Sequence, residues 1–120
     1  MPPSAATTLA YEGALPTGPE VARKTMFGSP CAFVNRQMFF GTFEESLVAR
    51  VGPSRAAALA AQGEATIFIP TEGRPWSDYV AIPSATAADT ARALAAEALA
   101  WTRALPPKGK PSRAVRKSRR

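Results

Sequence analysis

Apolar side chains crowd into one stretch, residues 23–51, which holds five of the six Phe and two of the three Met. Their spacing there is that of strands. On either side of Asn35-Arg36 the pattern predicts strands over 31–34 and 37–43 joined as a hairpin. Pairing across that loop sets Phe33 against Met38 and Cys31 against Phe40 on one side, and Ala32 against Phe39 on the other. In a two-residue loop Arg36 needs a positive φ, at about 1 kcal/mol or more, which favours a longer loop. Gly41 is a candidate bulge that would reset the side to which Phe43 points. After the turn Glu44-Glu45-Ser46 comes a third strand over 47–51. Residues 66–69 form a fourth, and residues 77–82 a fifth, in which Tyr79 and Ala81 alternate with Val80 and Ile82.

Elsewhere the spacing is three and four residues. Ala91, Leu94, Ala95, Ala98, Trp101 and Leu105 predict a long last helix, capped by Asp89 or Ser84 and ended by Pro106-Pro107. Pro53 and Gly63 bracket an Ala-rich helix over 53–62 whose apolar side is Ala57, Leu59, Ala60 and Ala61. Residues 1–20 contain four Pro and two Gly, so Ser4 caps at most a short helix through Tyr11, with Leu9 on the body. The order α-β-β-β-α-β-β-α, with short connections, favours antiparallel neighbours, and only the 53–62 helix allows a crossover. The expected fold is α+β: two layers, a mostly antiparallel five-stranded sheet with helices on one face. Its expected divisions are a weakly structured segment 1–20, a folded domain 21–105 and a disordered basic tail 106–120.

Charge sharpens that division. The 120-residue chain carries a formal +6. Residues 1–105 hold eight Lys or Arg against nine acids, and residues 106–120 hold seven cations with no acid. The body is therefore near neutral and the tail strongly basic. The chain has no His, which removes the commonest general base and metal ligand. One Cys forms no intrachain disulfide, and neither a signal peptide nor an apolar run of membrane-spanning length is visible, so a cytoplasmic protein is expected.

Few residues carry candidate chemistry. Cys31 sits in an apolar strand and reads as a small buried hydrophobe. The acids Glu44, Glu45, Glu72 and Asp78 read as solvated turn residues, and Gly28-Ser-Pro lacks the spacing of a phosphate loop. No catalytic, cofactor-binding or metal-binding residue is singled out, and no enzyme activity is expected. Arg23 and Lys24, joined by Arg50 and Arg74 if the sheet gathers them, are candidates for an anion site. Pairing with nearby acids is the competing reading. If helices cover the Phe33, Met38 and Phe40 side, then Val34, Phe39 and Phe43 form an apolar patch on the open face, the mark of a partner or dimer surface. Burial by a bulge or by the N-terminal segment is the competing expectation there. Lys108, Lys110, Arg113, Arg116, Lys117, Arg119 and Arg120 suit sequence-independent contact with DNA or RNA phosphates, against the plainer reading of a solvated terminus.

Several pieces of the chain resemble the N-terminal domain of the TfoX/Sxy family, which includes bacterial regulators of natural competence. They are Arg23-Lys24-Thr25-Met26-Phe27-Gly28, Phe33-Val34-Asn35 followed by Met38-Phe39, Ser46-Leu47 with Arg50, Gly73-Arg74-Pro75 with Tyr79-Val80, and a closing helix with Trp101 and Leu105-Pro106-Pro107. The likeness spans about residues 21–107. It implies a two-layer domain with an antiparallel sheet, and a regulatory or protein-interaction role without catalysis. The partner would be a protein, either an unknown regulator or a second copy. The competence regulators carry a second, C-terminal domain with no counterpart in this sequence. Arg36 stands where the family often has Gly, and the N-terminal helix is shorter and richer in Pro and Gly than usual. A nucleic-acid-associated protein acting through its tail is the alternative.

Overall fold

The computed structural model describes residues 4–26, 28–71 and 73–105. The elements are α1 (Ala5–Ala14), β1 (Ala22–Met26), β2 (Ser29–Val34), β3 (Gln37–Phe43), β4 (Ser46–Arg50), α2 (Pro53–Ala61), β5 (Thr66–Thr71), β6 (Arg74–Pro83) and α3 (Ala88–Arg103). The strands form one antiparallel sheet in the spatial order β1-β2-β3-β4-β6-β5. α3 lies against β2, β3 and β4, α2 against β5 and β6, and α1 against α3, β3 and β4. The α+β architecture is thus the one expected, with a sixth strand. That strand is β1, whose Ala-Arg-Lys-Thr-Met carries little apolar signal because it forms a sheet edge, where charge is tolerated. None of the described helices is long and apolar enough to cross a membrane. The tail cations Lys108, Lys110, Arg113, Arg116, Lys117, Arg119 and Arg120 lie outside the described residues.

Alternation along the strands decides which side chains meet the helices. Leu47 and Ala49 of β4 and Val80 and Ile82 of β6 join Ala91, Leu94, Ala95 and Ala98 of α3 in the main core. Val48, between them on β4, turns the other way and packs with Phe68 and Tyr79. The hairpin at Asn35-Arg36 closes in two residues, Val34 opposite Gln37, with φ of +52° and +66°. The strain at Arg36 is therefore accepted and the longer loop does not form.

One irregularity overturns the expected faces. Phe33 pairs with Met38, but Ala32 pairs with Phe40 and Cys31 with Gly41, so Phe39 is an extra residue on β3. A bulge there lets Phe39 and Phe40 both enter the main core, beneath the helices. The open-face patch expected of Val34 and Phe39 is corrected accordingly, for they are 1% and 0% exposed in that core. Phe33 and Met38 take the open face instead. The bulge sits at Phe39 and not at Gly41; the glycine is needed for room, since a Cβ at 41 would lie 2.9 Å from Cβ of Cys31.

The N-terminal helix is longer and better anchored than its composition suggests. Ser4 caps α1 by accepting from the Thr7 N–H, as expected. Tyr11, however, is the residue that enters the core, while Leu9 is 72% exposed. Glu45, in the β3–β4 turn, accepts from the Ser4 hydroxyl at 2.6 Å, the Thr7 hydroxyl at 2.5 Å and the Ser4 N–H at 3.1 Å. The Ser4 and Thr7 hydrogen bonds hold its carboxyl below the usual carboxylate range. A depressed folded-state pKa contributes stability above the unfolded pKa that is lost as pH falls through the folded one. Thermal unfolding across acidic pH should therefore show Glu45→Gln less stable than wild type from neutral pH down to the ordinary carboxylate range, with the gap closing below it. A gap independent of pH would remove Glu45 as the tether.

The other helices start close to expectation. Pro53 opens α2, whose buried residues are Ala56 and Leu59, not Ala57. α3 begins at Ala88 with Ala87 in the cap position, so Asp89 serves the first turn as a charge and not as a cap.

Candidate functional site

Four elements meet where β4 ends. Arg50, its last residue, donates from Nε to Asp78 Oδ2 at 2.7 Å and from Nη1 to Gln37 Oε1 at 3.0 Å. The guanidinium carbon lies 5.4 Å from the Tyr79 ring centre and 5.5 Å from that of Trp101. An Arg held by a carboxylate, an amide and two ring faces has one pose, which Lys could not reproduce. The Asp78 carbonyl accepts from the N–H groups of Val51 and Gly52, fastening the start of α2 to β6. Tyr79 donates its hydroxyl proton to the Met38 carbonyl at 3.0 Å, and burial raises its pKa, with Arg50 partly opposing. It stays protonated at neutral pH.

From Tyr79 an aromatic row crosses the face away from the helices. Tyr79 and Trp76 have ring centres 5.2 Å apart, Trp76 and Phe68 5.4 Å, and Phe68 and Phe43 5.1 Å, the last two pairs edge to face. Phe33, Met38, Arg50, Trp76 and Tyr79 wall a groove of about 610 Å³. Trp76 is its open side, 43% exposed. The groove offers apolar ring surface for burial, with Ser77 and the Arg50-bound Gln37 also in its lining.

Residues 14–104 match the TfoX N-terminal domain. The chain belongs to that family. Comparison with curated proteins and with solved structures found no match. In this TfoX N-terminal domain the pieces that carried the resemblance converge: Phe33, Met38, Arg50, Pro75 and Tyr79 line the groove, and Trp101 stacks on Arg50 from α3. Trp76 is not among the residues the sequence points to, and Asp78 reads there only as a solvated acid. The signal that could have found the site is Trp76 itself, a large aromatic beside a Pro-rich turn where nothing in the pattern calls for one.

The other candidates are dispersed. Phe43 does reach the open face, half-buried against Phe68. Arg23 and Lys24 point to opposite sides of β1: Arg23 pairs with Glu12 of α1, while the Lys24 ammonium lies 5.2 Å from the Phe33 ring centre. Strands β2 and β3 separate Lys24 from Arg50, which is committed to Asp78. The Arg74 side chain lies outside the described residues. Cys31 is buried, its side chain on the open-face side against Gly41.

Proposed function

We propose that this TfoX N-terminal domain is a non-enzymatic, cytoplasmic module that takes part in regulation by docking a partner protein on the open face of its sheet, in the groove under Trp76. The observation that carries this reading is the aromatic row: it lies on the face away from the helices, and its outermost ring, Trp76, is 43% exposed. Exposed aromatic anchors beside a fixed Arg are what protein interfaces concentrate their binding energy on. Membership of a family that includes competence regulators points the same way, as an analogy of fold. The full chain should retain a partner from native lysate. Trp76→Ala should weaken that partner by about tenfold or more, while Trp101 fluorescence and the thermal midpoint show the domain still folded. Equal retention by both proteins would rule this face out.

A further inference from the structure

The sheet has two edges, finished differently. β5 contains Pro70, which has no N–H, and its pairing with β6 slips between Ile67 and Phe68 and again between Phe68 and Thr71. That edge is broken against further strands. β1 has neither device. It pairs with β2 in unbroken register from Ala22 to Met26, and residues 22–25 are exposed. Antiparallel pairing leaves the N–H and C=O of every second residue of an edge strand pointing outward. What guards β1 is charge, Arg23 toward the helices and Lys24 toward the open face.

Beneath this edge a pocket of about 340 Å³ is lined by Tyr11 and Glu12 of α1 and by Arg23, Lys24, Thr25 and Pro30. Tyr11 is 1% exposed, its ring stacked on Phe40 at 5.5 Å; among the described residues its buried hydroxyl meets no hydrogen-bond acceptor, and the Arg23 guanidinium lies beside it. Burial raises its pKa to about 12, so it remains a donor at any physiological pH. The neighbouring Arg23 is engaged by Glu12 in a pair about half exposed on both sides. An exposed pair of that kind is easily exchanged.

We infer that β1 is the acceptor edge for an extended, acidic segment of a partner protein, which adds as a seventh strand and sets one carboxylate on Arg23 and the Tyr11 hydroxyl in place of Glu12. Main-chain pairing supplies affinity, and the carboxylate supplies register and selection. Glu12 is the internal stand-in for the partner's acid until the exchange. A second copy of the chain fits worse, because β1 against β1 brings the Arg23 and Lys24 cations of one strand beside those of the other. Tyr11 and Glu12 precede the residues matched to the family, and the edge is separate from the groove under Trp76.

The test is a titration of the full chain, at physiological salt, with a short capped peptide alternating Val and Glu, and with its Gln and Lys counterparts, read by backbone amide NMR and hydrogen exchange. The Glu peptide should protect β1 amides and bind about tenfold tighter than the Gln peptide, or more. Arg23→Glu should abolish that preference at β1 and move it to the Lys peptide, and Glu12→Gln should strengthen binding of the Glu peptide. Tyr11→Phe should weaken it without lowering the thermal midpoint, since among the described residues the hydroxyl has no acceptor to lose. Attraction to the basic tail is unchanged in Arg23→Glu and is thereby told apart. Equal affinity for the Glu and Gln peptides, amide shifts confined to residues 106–120, or a concentration-dependent dimer protected at β1 would each overturn the proposal.

Discussion

Phe39→Ser is expected to destabilise the protein by about 4 kcal/mol or more, because emptying a fully buried Phe site costs about 3–5 kcal/mol even for Ala, and Ser adds a buried hydroxyl. Phe39 has no exposed surface and shares the main core with Phe40, Leu47 and the α3 alanines. Against a total stability of about 5–15 kcal/mol, such a loss leaves much of the chain unfolded or close to it. Denaturant titration measures this directly. The half-buried Phe33, on the opposite face, is the control: Phe33→Ser should cost clearly less. A Phe39→Ser protein with wild-type stability and a lost partner would instead mean that Phe39 faces outward, and would overturn the bulge.

Gly52→Ala is the second large effect, expected at about 3 kcal/mol or more from backbone strain and overpacking together. Gly52 is buried, at φ +94° and ψ 156°, in a region that residues with a side chain rarely adopt. A Cβ there would stand 2.6 Å from Cε2 and Nε1 of Trp101. The indole cannot swing aside freely, because its face stacks on Arg50 and the neighbouring Thr102 hydroxyl reaches the Arg50 carbonyl at 3.5 Å. The cost should therefore appear as a lowered thermal midpoint together with a changed Trp environment in fluorescence. Gly13, in α1 with nothing within 4 Å of its added Cβ, makes the contrast: Gly13→Ala should be neutral or stabilise by about 0.5–1 kcal/mol. Equal effects at the two positions would show that the Gly52–Trp101 contact does not constrain the fold.

Reading the chain alone gets furthest where the information is local. The alternation of Tyr79, Val80, Ala81 and Ile82, the three- and four-residue spacing of α3 and the Ser4 cap are each fixed by residues a few positions apart and form as expected, while the Asn35-Arg36 hairpin forms with a tighter loop than the Arg36 strain suggested. The candidate face is less legible. Which side of β3 meets the helices depends on a single extra residue, and Met38, Phe39 and Phe40 are all apolar, so the run looks alike in sequence whether or not the strand bulges. Only the space under α1 and α3 determines that two successive Phe go the same way. β1 escapes the sequence pattern for the opposite reason, since an edge strand needs little apolar signal to pair with β2.

By itself, the sequence determined the two-layer class, the family and every element type except β1, because these follow from periodicity, turn chemistry and short motifs. The tertiary structure alone decided where those motifs meet. It brought Gln37, Arg50, Asp78, Tyr79 and Trp101 from β3, β4, β6 and α3 to one end of the sheet, turned Glu45 into the tether of a helix whose cap lies 41 residues earlier, and left the Tyr11 hydroxyl buried beside Arg23 with no acceptor among the described residues. Each of these is a relation between residues far apart in the chain, and side-chain geometry across a folded sheet is the only place where such relations exist.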